Sequence, residues 1–436
     1  MKQSTPLTFD DLKFLQIKNL WTFFKSESLA FKAICAYLFV EFFRPQHIFP
    51  VIDFLPWAKV CLISALIFSF FDNKASFRFT GMHMLVTLFC IAIHLSFLVA
   101  FDVSWSTDYY IFFIQWVIIM FIATTIVNTK ERIYVFFLVL FLCSLKIAIG
   151  TSKNWAMRGF GFTSWGLKGP TGYFENSGEL AVLMLLLFPM GYYLYNLYKN
   201  DVRVWEKYIL LASAVCPVLT ILGSSSRGAQ LALVAQLFIM FWRKIFKPKI
   251  LISLTLIGWI GWQVLPIEQK ERFTSIGEDK TSIQRMLYWE NAWEMMKEHP
   301  ALGVGYYNFI PYFTKHYPED ILYSEAELPH NIFFQVGTDA GFIGLTIFIF
   351  ILLASFIRKL PIKVGNRSEE DEFFQVLWKA IKLSILGFVI AGQFVTIGYY
   401  PFLWILITFQ TCITIAYRYN NKKDSVSHGA IPRQAF

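Results

Sequence analysis

The chain has 436 residues, a net charge of +9, and a composition that is 56% hydrophobic, 19% aromatic and only 16% charged. Soluble domains carry about 25% charged residues, and here the apolar residues gather in runs near the ~20 that cross a bilayer, so a soluble globular fold is excluded. The ~10-residue alternation of barrel strands is absent. The basic residues lie mostly in short loops on one side, the positive-inside pattern, which argues against a nucleic-acid surface.

Residues 1–28 lack the compact apolar core and cleavage site of a secretory signal. Leu12, Leu15, Leu20, Phe23 and Phe24, interleaved with lysines, predict a helix lying on the inner membrane surface. Periodicity then predicts about twelve spans, near 29–47, 54–71, 82–101, 109–128, 132–150, 178–198, 207–223, 228–242, 250–265, 331–356, 376–397 and 399–417. Lys74, Arg78, Lys130, Arg132, Lys199, Arg203, Arg243, Lys244, Arg358, Lys363, Arg367 and Arg418 share one side if both termini are cytoplasmic. The chain reads as an all-α polytopic membrane protein. It comprises an interfacial segment 1–28, spans one to nine over 29–265, a large outward loop with helices over 266–330, spans ten to twelve over 331–417, and a cytoplasmic tail 418–436 expected to be disordered after Tyr419. All six cysteines fall inside spans, so no disulfide framework is implied.

The outward segments hold the candidate chemistry. In the long loop, Thr281 or Ser282 is expected to cap a helix ended by His299-Pro300. Met286, Trp289, Trp293 and Met296 form its apolar stripe, with Arg285 beside them. Gly303-Val304-Gly305 marks a turn where backbone comes close to something. Arg227, in the Ser224-Ser225-Ser226-Arg227-Gly228 bend, has bidentate geometry for phosphate at a helix N-terminus. Arg158 and Lys168 add outward positive charge. His330, beside the helix-capping Asn331, can accept a proton at neutral pH. Inside the spans, Glu41 and Arg44 are expected to pair, and Asp339 has no assigned role. No Asp-x-Asp or clustered metal-ligand spacing occurs in the outward loops, and neither a metal nor a cofactor is expected. For each of Arg227, Arg285 and His330 the competing reading is structural: a snorkelling arginine, or an incidental histidine before a cap.

Ser226-Arg227-Gly228-Ala229, Arg285 with Trp289 and Ala292, His299-Pro300-Ala301-Leu302-Gly303-Val304-Gly305, and His330-Asn331 with Gly341-Phe342-Ile343-Gly344-Leu345 together resemble the O-antigen ligase / O-antigen polymerase superfamily. Phe42-Phe43-Arg44-Pro45-Gln46 resembles a subgroup of O-glycosylation ligases found with exosortase systems. The resemblance implies a GT-C-like glycosyltransferase of the bacterial inner membrane, metal-independent, with its site facing the periplasm. It would move a glycan from an undecaprenyl-diphosphate carrier to a lipid, glycan or protein acceptor. It implies Arg227 and Arg285 as the diphosphate clamp and His330 beside the acceptor. Arg158, Lys168, Tyr306 and Tyr307 are added as candidate substrate contacts.

That chemistry suits these residues. A lipid diphosphate leaves as a stable anion, so the transition state needs fixed positive charge and a base for the incoming hydroxyl. A polymerase extending lipid-linked repeat units would use the same site. A non-catalytic flippase, or a scaffold subunit of an export machine, are readings of a different class; the absence of matched halves argues against the flippase.

Overall fold

The computed structural model describes residues 8–12, 14–163, 166–264, 267, 270, 277–362 and 368–429. Expectations placed on the first seven residues, the start of the long loop, Lys363 and Arg367 lie outside these.

The described residues are all-helical. After α1 (Ile17–Ser26) come α2 (Leu29–Leu38), prolonged by a π turn at Phe39–Phe43, and α3 (Trp57–Ser69). The series continues with α4 (Gly81–Leu98), α5 (Val103–Ile126), α6 (Lys130–Met157), α7 (Ser177–Tyr198), α8 (Val204–Gly223), α9 (Arg227–Ile245) and α10 (Pro248–Val264). The long loop folds into α11 (Lys280–Glu298) and α12 (Phe309–His316); α13 (Ile332–Ile357), α14 (Glu369–Ala391) and α15 (Pro401–Gly429) close the chain. A helix lies at each of the twelve expected spans. Eight, α4 to α8 and α13 to α15, are long and apolar enough to cross a membrane. Of the other four, α2, α3 and α10 are shorter, and α9 starts at Arg227 and ends on Arg243 and Lys244.

Short polar side chains decide where these helices begin. Thr80, Asp102, Thr129, Asn176, Ser226, Asn331 and Ser368 each accept a backbone N–H of the first turn, satisfying donors that hydrocarbon would leave stranded. This is why α5 and α14 start several residues before their apolar runs. Asp102 and Ser368 are the caps, and four acidic residues favour the positive end of α14. Helix α15 continues past Tyr419 to Gly429, where the sequence reading expected a disordered tail.

The core is built around α15, whose residues from Phe402 to Tyr417 are almost all buried among α5, α6, α7 and α14. Polar atoms bind the helices where apolar surface gives no preference over lipid. Gln236 of α9 donates to the carbonyls of Leu185 and Leu383, both at 2.9 Å, and Ser384 donates to Leu186 O at 2.8 Å. Leu12, Phe14, Leu15 and Phe23 are buried, and Phe14 stacks on Tyr198. The N-terminal segment is therefore strapped to the bundle, not simply laid on a membrane surface.

The two ends of the bundle differ. At one end, Arg132 is fully buried. Its Nη2 lies 2.6 Å from Glu27 Oε2 and its Nη1 2.8 Å from Asp72 Oδ2. Nearby, Lys130 pairs with Glu370, and Tyr417 donates to Asp371. At the other end, α13 is broken at Ala340–Gly341. The Pro300–Gly305 segment occupies the break: Phe342 N–H donates to Pro300 O and Val304 N–H to Thr338 O, both at 2.8 Å. Gly303 has a φ of +68° and packs so closely on Thr338 O that a Cβ would collide with it. The close backbone approach read from Gly303-Val304-Gly305 is thus to a discontinuous helix, a form tolerated in membranes where protein covers the freed groups.

Glu41 and Arg44 do not form the expected ion pair. Arg44 ends the π turn in the left-handed region, with a φ of +55°, and its guanidinium packs against Gly172. Asp339, beside the α13 break, is buried; its backbone carbonyl accepts from Ser96 Oγ, and its Oδ2 has no hydrogen-bond partner among the described residues.

Candidate functional site

Three chain segments meet at the broken-helix end. The first is the Ser224–Arg227 bend. Ser225 has a φ of +58°, which turns the chain sharply enough for Ser226 to cap α9 and for Arg227 to be its first residue. The second is α11. Its cap is Asp279, not Thr281 or Ser282: Asp279 Oδ1 accepts Ser282 N–H at 3.0 Å, and Oδ2 accepts Ser282 Oγ–H at 2.7 Å. The third is the turn before α13, where Asn331 accepts the N–H groups of Phe333 and Phe334.

A short irregular stretch between α14 and α15 ties the first and third together. Gly228 packs on Phe394. Thr396 Oγ1 accepts His330 N–H at 2.9 Å, Gly392 O accepts Ile332 N–H at 2.8 Å, and Asn331 Nδ2 donates to Gln393 Oε1 at 3.3 Å. Helix α11 is fixed by its own small core, formed by Tyr288, Ala292 and Met295 with Val304, Phe309, Tyr312 and Phe313. Its buried face is therefore turned from the expected stripe: Met296 is inside, but Met286 and Trp293 are exposed. Helix α12 drives the rotation, because Phe309 and Phe313 pack on Tyr288.

The charges that result are close and partly withdrawn from water. Arg227 Nη1 and Nη2 lie 3.4 and 3.5 Å from Asp279 Oδ2. Burial works against ionised Asp279, but the Ser282 contacts and Arg227 outweigh it and hold the carboxyl below its ordinary range. Arg285, on the next turns of the same helix, is half-buried, and its Nε has no hydrogen-bond partner among the described residues. Burial, and then the charge of Arg227, weaken its hold on its proton; Asp279 and Glu327 act the other way. Such a guanidinium stays charged and has hydrogen-bonding capacity to spare. Glu327 Oε2 sits 3.0 Å from His330 Nε2, and that contact is the main reason its carboxyl lies below its ordinary range. Arg227, Arg285 and His330 therefore belong to one cluster, completed by Asp279 and Glu327.

The remaining candidates are placed differently. Segment 166–168 packs its Gly166 and Leu167 against Ser224 and Gly223, so exposed Lys168 adjoins the Arg227 bend. Arg158 ends α6, exposed, and its side chain has no hydrogen bond or ion pair among the described residues. Tyr306 is 1% exposed, packed between Phe113 and Tyr399. It has no open face for a sugar and is a core residue. Tyr307 is partly open and stacks on Tyr109 at 3.8 Å. Glu179, at the start of α7, accepts a hydrogen bond from Tyr400 at 2.6 Å.

Sequence reasoning missed Asp279, Glu327 and Thr396. Two had local signals. Asp279 stands three residues before Ser282, the cap spacing, and Glu327 stands three before His330. Thr396 had none, because its contact crosses 66 positions.

Residues 212–349, which contain Arg227, Arg285, His330 and the α13 break, match the family described as O-antigen ligase. Residues 10–199 match a family of unknown function, DUF5935. No curated protein matches the chain. The first of these matches, over residues 212–349 of a multi-span helical fold that carries the matched motifs at one end, supports membership of the O-antigen ligase / O-antigen polymerase superfamily.

Proposed function

We propose that the chain is a glycosyltransferase. It moves a glycan from an undecaprenyl-diphosphate carrier to an acceptor hydroxyl at the periplasmic face of the inner membrane. The observation that carries this reading is the convergence of Arg227 and Arg285 beside His330 at one end of the bundle. The two guanidinium groups hold the diphosphate and stabilise the charge that gathers on it as the glycosidic bond breaks. His330 takes the proton of the incoming hydroxyl. Lys168 is placed to add charge at the Arg227 bend, and Tyr307 offers a ring to a sugar. The polyprenyl tail stays in lipid while the sugars meet the site at its edge. The family match fits single transfer and chain extension alike; a ladder of product sizes would identify a polymerase.

The test uses purified protein with polyprenyl-linked glycan extracted from the source cells and a crude membrane fraction as acceptor. His330→Ala should reduce transfer by about 100-fold or more, the usual range for a lost general base, with little change in donor KM. Transfer within two-fold of the wild type would overturn the assignment of His330 as base.

Asp279 is the counter-charge that an incoming diphosphate must displace from Arg227. Asp279→Asn keeps a cap-competent side chain and removes that competition. A half-exposed pair of this kind contributes roughly 0.2–1 kcal/mol, so the variant should bind inorganic pyrophosphate about 1.4- to five-fold more tightly by calorimetry. Weaker binding would mean that Asp279 helps to build the anion site.

A further inference from the structure

Glu327 and His330 face each other across the Leu328-Pro329 turn, with Oε2 3.0 Å from Nε2. An ionised carboxylate can only accept a hydrogen bond, so Nε2 carries the proton of the neutral ring. Three contacts hold this geometry. Tyr288 OH accepts Glu327 N–H at 2.8 Å, Trp289 Nε1–H donates to Pro329 O at 2.8 Å, and Thr396 accepts His330 N–H. His330 is kept at a φ of +51°, a strained conformation that persists only where the surroundings determine it. The turn is thus clamped by α11 on one side and by the α14–α15 connection on the other. Arg285 reaches Glu327 electrostatically from α11, so one carboxylate faces both the clamp and the base.

We propose that Glu327 is a positioning residue that fixes the tautomer of His330 and leaves Nδ1 as the atom that takes the acceptor's proton. The inference rests on the transferase reading above. In the step it describes, the acceptor O–H bond breaks toward Nδ1 as the oxygen forms its bond to the anomeric carbon. The bond from that carbon to the diphosphate oxygen breaks, and its electron pair leaves with the diphosphate held by Arg227 and Arg285. The ring becomes imidazolium, with the Glu327 carboxylate against its other nitrogen. It then returns the proton to water. The competing view is an ordinary surface pair, since the Glu327 side chain is 61% exposed. Such a pair contributes little to stability and has no reason to change a catalytic rate.

Two measurements on the full chain separate these views. The first is nitrogen-15 NMR of histidine-labelled protein in lipid bilayers at pH 8.5, with the His330 signals identified by their loss in His330→Ala. The expected result is one tautomer, protonated on Nε2 and bare on Nδ1. A ring protonated on Nδ1 overturns the proposal. The second is kinetic, with the extracted polyprenyl-linked glycan and membrane acceptor described above. Glu327→Gln should lower kcat at least ten-fold with donor KM within two-fold, and Glu327→Asp should recover much of that loss. A Glu327→Gln variant that keeps more than half the wild-type kcat overturns the proposal, as does a loss that Glu327→Asp leaves unrepaired. Should Glu327→Gln fail to fold, the wild-type tautomer decides alone. The NMR experiment needs no glycan, so failure of His330 as base in the transfer assay is recognised separately.

Discussion

Arg285→Ala is expected to cut glycan transfer by roughly 1,000-fold or more, and Arg227→Ala by a comparable factor; a single donor aimed at developing charge accounts for 10²–10³ in rate and an arginine for up to about 10⁵. Burial is the reason for so large an expected effect at Arg285. Its guanidinium is half-buried with Nε unpartnered, so its field on a bound anion is less damped by water than that of a surface lysine. Because the charge of Arg227 weakens the hold of Arg285 on its proton, the cluster also gains most when an anion enters between the two guanidinium groups. Arg→Lys at either position should recover only part of the loss, because an ammonium lacks the fork that fits two phosphate oxygens at once. Arg358→Ala is the control. That residue ends α13 at the opposite end of the bundle, beside Gly81, and the variant should stay within two-fold of the wild type. Calorimetry with inorganic pyrophosphate provides the binding side of the test. If affinity survives both arginine deletions, the anion is bound elsewhere and the clamp is wrong. The double variant should lose less than the product of the single losses, since the two groups act on one diphosphate.

The bilayer made the helices legible in the sequence. Every backbone polar group in hydrocarbon must be satisfied within its helix, so runs of apolar residues translated into helices with little competition. Boundaries were less legible, because Asp102 and Ser368 start their helices in polar sequence ahead of the apolar run. Of the candidate site, the arginines and the histidine were singled out through motifs that local constraints keep together: a cap and charge at Ser226-Arg227, and a cap and imidazole at His330-Asn331. The acidic partners were overlooked because an acid in a polar loop is ordinary until its neighbours are known. Tyr306 failed for the opposite reason. In a polar outward loop it read as a candidate substrate contact, yet that loop dives into the bundle and carries Tyr306 against Phe113 and Tyr399. Arg132 was read as one of several interfacial charges, although Glu27 and Asp72, more than fifty positions away in sequence, remove it from water entirely.

That removal makes Arg132 the position where a single substitution should damage the fold most. Its Nε and both Nη atoms are engaged: Nε and Nη2 with Glu27 at 3.0 and 2.6 Å, Nη1 with Asp72 at 2.8 Å and with Ile126 O at 2.9 Å. The three residues come from the α1–α2 connection, the connection after α3, and the first turn of α6, so the ion network joins three segments, aided by Ser28 Oγ, which donates to Asp72 Oδ2 at 2.7 Å. Arg132→Ala would leave two carboxylates facing each other in a buried space, with only Lys74, 2.8 Å from Glu27, as compensation. Breaking a buried pair in this way costs about 3–5 kcal/mol, a large share of the stability of any domain. Purified Arg132→Ala should unfold many degrees below the wild type, or fail to accumulate in membranes. The combined change Glu27→Gln, Asp72→Asn and Arg132→Met removes every charge at once and should recover most of the loss, because apolar or neutral packing often matches a buried ion pair in stability. In the same triple variant, transfer activity should stay near wild type, since the network lies at the end of the bundle opposite Arg227. An Arg132→Ala protein that melts with the wild type would show that water reaches these carboxylates and that the segments are joined by packing alone.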